Sequence, residues 1–134
     1  MLSVATDIFY RDEDVSAIIS SHQWPNNHGH ALVIPNQHFE NIYDLPAELG
    51  GKIHIVAQKI ALAMKTIYGC DGVSTRQHNE PAGDQDVWHY HLHVFPRYAN
   101  DHLYTSQYAL MPAEERAEYA NLLRNYFQRK FDES

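Results

Sequence analysis

Residues 89–95 read His-Tyr-His-Leu-His-Val-Phe, so that histidine alternates with aromatic or aliphatic residues for three rounds. Successive side chains of an extended strand point to opposite faces of a sheet. We therefore expect a strand in which His89, His91 and His93 line one face, while the intervening apolar residues pack on the core. At the rise of a strand, the three imidazoles span about 13 Å, which is the size of the reactive part of a small ligand.

Two kinds of chemistry fit three imidazoles at this spacing. Histidines two residues apart on a strand, with a third ligand nearby, suit zinc or another transition metal. Alternatively, a neutral imidazole attacks a phosphoryl group while its neighbours donate hydrogen bonds. The residues of this stretch alone leave both interpretations open.

The composition limits the class of partner. The 134 residues include 10 Lys and Arg against 17 Asp and Glu, for a formal net charge of −7. Because this charge repels polyanions, we expect neither nucleic acid nor an acidic membrane as a partner. Backbone amides and a few histidines can still hold phosphate locally.

The length favours a single domain over residues 1–134 with a two-layer core.

Cysteine usage and the N-terminus bear on the compartment. Cys70 is the only cysteine, so no intrachain disulfide can form and no Cys-x-x-Cys pair is present. Residues 1–7 lack a basic segment before an apolar run, and no stretch of about 18 apolar residues follows. We therefore expect a cytoplasmic protein with no export signal and no membrane span.

The hydrophobic patterns predict an α+β fold of order β-β-β-α-β-β-α, with a five-stranded antiparallel meander and two helices. Asp44 is the expected N-cap of the first helix and Gly69 its stop. Residues 23–29 and 98–111 are expected to be loops, the second long and mobile. The remaining strands are predicted at 7–11, 15–21, 30–34 and 72–77, and the helices at 46–68 and about 112–131.

Three sequence blocks together resemble the histidine triad (HIT) family of nucleotide hydrolases and transferases. Residues 89–95 satisfy the family signature His-φ-His-φ-His-φ-φ, where φ is hydrophobic. Residues 29–35, Gly-His-Ala-Leu-Val-Ile-Pro, followed by His38, look like a second family block. The third block is Asn79–Gly83 with Gln85.

The resemblance covers roughly residues 8–98 and implies roles for single residues. His91 would attack the α-phosphorus of a nucleotide and form a covalent nucleotidyl-histidine, which water or another acceptor resolves. His93 would donate to a phosphate oxygen, and His89 would organise the strand or assist the leaving group. The substrate-binding residues that the resemblance implies are His30, Asn79 and Gln85, with His22 at the position where relatives often carry an Asp or Asn that binds the ribose.

The resemblance also implies a homodimer with a continuous sheet and a site that needs neither a metal nor a cofactor. Some relatives bind structural zinc through an N-terminal Cys-x-x-Cys pair plus histidines. Residues 4–8 have no cysteine, so we expect that site to be absent, with His38 a strand-end histidine. Two acids, Asp84 and Asp86, stand in the third block where relatives carry other residues, which leaves the identity of the nucleotide open.

The leading functional hypothesis is thus an enzyme that cleaves the α-phosphate linkage of nucleoside phosphoramidates or dinucleoside polyphosphates. The alternative from another class is a non-catalytic nucleotide-binding or sensor protein with the same pocket. A metal-dependent hydrolase that uses the histidines as ligands is the third hypothesis.

Overall fold

The structure is a computed structural model that describes residues 3–131. The described residues form two α-helices and seven strands, together with 3₁₀ turns at Ala5–Asp7 and Pro81–Gly83. The strands are β1 (Ile8–Arg11), β2 (Val15–Ile19), β3 (His22–Gln23), β4 (Ala31–Pro35), β5 (Gly72–Arg76), β6 (Leu92–Arg97) and β7 (Ala109–Leu110), and the helices are α1 (Ala47–Ile67) and α2 (Ala113–Lys130).

Five strands form one antiparallel sheet in the order β1-β2-β4-β6-β5. The predicted α+β class, with a five-stranded antiparallel sheet and two helices, is confirmed. The order departs from a simple meander at one point, because α1 carries the chain past β4 to β5 and β6 then turns back between them. The triad strand therefore lies inside the sheet, with neighbours on both sides.

Both helices pack on one face of this sheet. Val33 of β4 and Val94 of β6 are fully buried against α1, whose Ile60 and Met64 face them in the same core cluster. Fully burying one such aliphatic side chain stabilises the fold by roughly 1.5–3 kcal/mol. The helix α2 covers β1 and β2, where Phe127 packs edge-on against Phe9.

The opposite face carries a row of four residues that are direct cross-strand partners. Ile18 of β2 lies opposite Leu32 of β4, Leu32 opposite His93 of β6, and His93 opposite Arg76 of β5. Side chains of directly opposite residues share a face. We call this side of the sheet the triad face, and it turns away from the helices.

The triad strand begins later than the alternation of residues 89–95 predicts. Strand β6 starts at Leu92, and residues 87–89 form a bend. The backbone N–H of Tyr90 donates to the carbonyl of Phe39, 2.6 Å away. Residue 90 is therefore hydrogen-bonded outside the sheet ladder, and of the three triad histidines only His93 lies within the strand.

The two predicted loops also differ from the structure. The segment expected to be a loop at 98–111 contains β7, which pairs with β3 next to the other predicted loop. The carboxylate of Asp101 accepts hydrogen bonds from Arg97, Asn27 and the N–H groups of Tyr98 and Leu103. These bonds fix the chain directly after β6.

The ends of α1 give one confirmed and one corrected prediction. Gly69 follows the helix in the left-handed region, with φ +64°, as expected of a stop residue. The N-cap is Pro46 and not Asp44. The Asp44 carboxylate accepts hydrogen bonds from the backbone N–H groups of Asn41 and Glu40, which uses it in the preceding turn.

A buried ion pair ties the start of the chain to α2. The Asp7 carboxylate lies 2.9 Å from Nε of Arg116, and both side chains are at most 3% exposed. Arg116 also donates to the carbonyl of Met111.

The described part of the chain, residues 3–131, contains no helix of the length and apolarity needed to cross a membrane.

Candidate functional site

His93 and His30 form a hydrogen-bonded pair at the centre of the triad face. Nδ1 of His93 lies 2.8 Å from Nε2 of His30, although the residues are 63 positions apart. Phe95 stacks on the His30 ring with 4.2 Å between centroids, and His30 is only 1% exposed. The pairing of β4 with β6 brings these two histidines together.

Burial keeps both of these imidazoles neutral. Loss of hydration lowers the pKa of His30 to about 3, an interaction with the His22 backbone opposes this shift, and the charge of Arg76 adds to it. Burial also holds the pKa of His93 far below its ordinary value, with smaller contributions from His30, His91 and Arg76. A neutral imidazole donates through one nitrogen and accepts through the other. In the hydrogen bond between the two rings, one histidine therefore donates and the other accepts.

His91 lies one residue before β6, beside His93. Its ring centroid is 5.0 Å from that of His93. Nδ1 of His91 lies 2.9 Å from the backbone carbonyl oxygen of His89. Because a carbonyl can only accept, Nδ1 carries a proton, and in the neutral ring Nε2 carries the lone pair.

His89 is held apart from this group. Its Nε2 donates to the carbonyl of Pro35 at 2.9 Å, and its Nδ1 lies 3.2 Å from Nδ1 of His38. The strand prediction put all three triad imidazoles on one face. The structure brings His91 and His93 together, and both ring nitrogens of His89 contact groups at the end of β4.

The residues around His38 and His89 do not fit a structural zinc site. Such sites use four nitrogen or sulfur ligands in tetrahedral arrangement. Among residues 3–131, no group of three or more His, Cys, Asp or Glu side chains is placed to hold a metal ion. The two imidazoles alone supply half of a tetrahedral set.

The two predicted amide ligands form hydrogen bonds within the loop that precedes β6 and with the segment between β4 and α1. The buried Gln85 side chain donates to the carbonyls of Glu40 and Val87 and accepts from the N–H of Glu80. Asn79 exchanges hydrogen bonds with Gln77 and accepts from the N–H of Ile42 at 2.7 Å. A phosphate contact by either amide would replace one of these bonds.

This loop holds two non-glycine residues at positive φ. Glu80 has φ +65° and ψ 163°, a region that is essentially restricted to glycine and costs about 1–3 kcal/mol. Asp84 has φ +68° in the left-handed region, where Asp is better tolerated. Asp84 and Asp86 are both exposed. The bonds of Gln85 hold the strained Glu80 in place.

His22 lies at the edge of the site in strand β3. Its Nδ1 is 3.0 Å from Oγ of Ser21, and its ring meets Tyr108 edge-on. Tyr108 also packs against Trp24, whose ring contacts Phe95. The side chain of His22 therefore belongs to an aromatic rim, and a contact with a ribose stays a prediction.

Arg76 is the residue that sequence reasoning missed. It lies directly opposite His93, and its guanidinium carbon is 4.6 Å from the Phe95 ring centroid, 5.4 Å from that of Trp24 and 5.5 Å from that of Tyr104. Loss of hydration lowers its pKa. The available signal was an arginine at the end of the strand predicted at 72–77, next to the loop that leads to the histidines.

Comparison with known proteins places these features in a family. Residues 2–100 match the HIT domain. The chain is 38% identical over 89 residues to the protein hit of Bacillus subtilis, a match that covers 66% of this chain and 60% of that protein, and so spans less than two thirds of the relative. It is 34% identical over 73 residues to the adenosine 5'-monophosphoramidase of Saccharomyces cerevisiae, covering 54% of this chain and 44% of the yeast protein.

A solved structure shares the fold. A zinc-bound histidine triad family protein from Mycobacterium smegmatis superposes with a TM-score of 0.78 and 32% identity, over 95% of this chain and 86% of the other.

Proposed function

The chain belongs to the HIT domain family, and on that premise we propose that it is a nucleotidyl hydrolase or transferase that cleaves the α-phosphate linkage of nucleoside phosphoramidates or dinucleoside polyphosphates. The observation that carries the proposal is the free Nε2 of His91, fixed by the bond from its Nδ1 to the His89 carbonyl and set beside the neutral His30 and His93 pair. The yeast phosphoramidase among its relatives supports the same reaction class.

The first step makes a covalent bond to His91. The Nε2 lone pair attacks the α-phosphorus, and the bond between phosphorus and the leaving group breaks. The leaving group keeps the electron pair of that bond and takes a proton from solvent. In the second step a water oxygen bonds to phosphorus, the bond to Nε2 breaks, and the nucleoside monophosphate leaves as a proton returns to solvent. Covalent catalysis replaces one difficult displacement by two easier ones.

The hydrogen-bond donor for the phosphate oxygen is part of the same proposal. We propose that the proton shared by the His30 and His93 rings lies on Nε2 of His30, which donates to Nδ1 of His93. His93 then carries its own proton on Nε2 and donates it toward the charge that develops on the phosphate.

His89 acts in this scheme by organising the chain. Its Nε2 proton is bonded to the Pro35 carbonyl and its Nδ1 faces His38, so neither nitrogen is available to a leaving group. Gln85 acts similarly by holding the loop before β6. A homodimer, a cytoplasmic location and one domain spanning residues 1–134 are further parts of the proposal.

Single-turnover labelling tests the proposal. Enzyme in excess is mixed with an adenosine phosphoramidate labelled at the α-phosphorus, quenched in alkali and separated under denaturing conditions. We expect labelled wild-type protein, no label on His91→Ala, and normal label on His54→Ala, which removes an exposed histidine of α1. Label on His91→Ala would refute the proposed nucleophile. Tight nucleotide binding by the wild type without label or product would select the non-catalytic alternative.

A further inference from the structure

We propose that Arg76 binds the anionic leaving group, so that the site prefers nucleotides whose α-phosphate is joined to a further phosphate over those joined to an amine. The inference rests on the proposed function and deepens it by naming the substrate class. It begins from a cation that the sheet places next to the reactive histidines and that forms no ion pair with a carboxylate of residues 3–131.

The position of Arg76 follows from strand register. Arg76 on β5 is the direct partner of His93 on β6, so both side chains lie on the triad face. Its charge is near enough to His30 and His93 to disfavour protonation of both rings. A group bound between His91 and β5 would therefore lie within the field of the guanidinium.

The aromatic surroundings of Arg76 hold it in place without neutralising it. Phe95, Trp24 and Tyr104 each offer a ring to the guanidinium. The ring faces attract the guanidinium electrostatically and restrain its position. Arg76 is thereby set in one orientation before a ligand arrives, which lowers the entropy cost of binding.

A second arginine beside it shows the difference between a structural and an unneutralised cation. Arg97 donates to both carboxylate oxygens of Asp101 and to Ser74, at 2.8 to 3.0 Å. Nε of Arg76 is buried and has no hydrogen-bond partner within residues 3–131. The exposed Asp84 attracts Arg76 only through its charge, while Arg97 repels it. Burial of part of a cation without a bonded anion is costly, and an anionic ligand removes that cost.

The leaving group determines whether this cation assists the reaction. When the leaving group is a phosphate chain, the breaking P–O bond delivers an added negative charge to it, and Arg76 stabilises that charge in the transition state. When an amine leaves, it takes a proton and departs without negative charge. The planar guanidinium also binds two phosphate oxygens at once, which a lysine cannot do.

The experiment compares kcat/KM for a diadenosine tetraphosphate with kcat/KM for an adenosine phosphoramidate of a neutral amine. We expect Arg76→Met to lower the ratio of the two values by about 100-fold, the lower end of the range for loss of one transition-state donor. Arg76→Lys restores part of the ratio because it keeps the charge. Lys52→Met removes an equal charge from an exposed ion pair with Asp14 and leaves the ratio unchanged.

Equal losses for the two substrates in Arg76→Met, or no loss, would overturn the role of Arg76. Binding measurements separate this failure from a failure of the proposed function. The wild type should bind a nucleoside triphosphate more tightly than the monophosphate, and Arg76→Met should reduce that difference by about 10-fold or more, whether or not any substrate is cleaved. Circular dichroism of the Arg76 variants checks that the sheet is intact. Arg76→Gln, which keeps a polar planar group without the charge, is included in the comparison.

Discussion

Nδ1 of His91 lies 2.9 Å from the carbonyl oxygen of His89, so the backbone two residues earlier sets the proton position on the candidate nucleophile. Because this bond is to the backbone, no side-chain substitution at residue 89 removes the acceptor itself. The reactive lone pair of His91 is thereby fixed by the course of the chain before β6.

The tautomers of the site histidines are a first prediction. At a pH well above the ordinary imidazole value of about 6.5, we expect His91 to carry its proton on Nδ1, and His30 and His93 to carry theirs on Nε2. Nitrogen-15 NMR of histidine-labelled protein distinguishes the two ring nitrogens, with single His→Gln variants for assignment. A proton on Nε2 of His91 would contradict the nucleophilic role.

The pH dependence of stability follows from His30. Burial lowers the pKa of folded His30 to about 3, below the unfolded value near 6.5. Between these two pH values the unfolded state binds a proton on His30 that the folded state does not. The contribution of neutral His30 to the free energy of unfolding is therefore complete above pH 6.5. It is lost as the pH falls toward 3, at about 1.4 kcal/mol per pH unit for one group.

The control for this effect is a comparison of variants. His30→Leu should show a shallower fall in the free energy of unfolding below pH 6.5 than wild type, measured by urea denaturation at several pH values. The exposed His54→Leu should match the wild-type slope. Parallel curves for all three proteins would mean that the buried ring does take up a proton in the folded state.

The buried pair of Asp7 and Arg116 predicts a large loss of stability on truncation. Asp7→Ala removes this carboxylate from the buried Arg116, and we expect a loss of more than about 1 kcal/mol, larger than for an exposed pair. Lys52→Ala breaks the exposed pair with Asp14 and should cost at most about 1 kcal/mol. Chemical denaturation measures both, and similar losses for the two variants would show that Asp7 is solvated.

Two glycines give opposite predictions for the same substitution. A Cβ at Gly29, which has φ +95°, would lie 2.5 Å from the hydroxyl oxygen of Tyr68. Gly29→Ala should therefore destabilise the protein and displace the neighbouring His30. Gly51, in α1, has nothing within 4 Å of such a Cβ, so Gly51→Ala should raise stability by about 1 kcal/mol. The thermal unfolding midpoints of the two variants are compared with that of the wild type. A shift in the same direction for both variants would contradict the opposite effects expected at Gly29 and Gly51.

The sequence predicted those parts of the fold that local pattern determines. The periodicity of residues 46–68 is that of α1 to within a residue at each end, and the apolar run before Pro35 is strand β4. The alternation at 89–93 predicted too early a strand start, because the bond from Tyr90 to Phe39 and the bonds of Gln85 depend on contacts from distant loops. Alternation of histidine and apolar residues in the sequence determines which face of a sheet a side chain occupies only where the strand forms backbone hydrogen bonds with its neighbours.

The site was predictable where the family blocks supplied it, and otherwise not. His30, His91 and His93 were singled out from motifs and lie together in the structure. The role of Arg76 depends on its register with His93 across two strands, which no single stretch of sequence contains. The pairing of β3 with β7 joins two-residue strands about 87 positions apart, too short and too distant to give a local signal.

The insertion of β6 between β4 and β5 has a kinetic consequence. Pairing of β4 with β6 closes a loop of about 60 residues that includes all of α1, and such long closures are slow steps in folding. Secondary structure and the first hairpin can form before this closure, whereas the contact of His30 with His93 cannot. Recovery of the proposed activity during refolding should therefore lag behind recovery of helical signal, because that activity depends on this long-range contact.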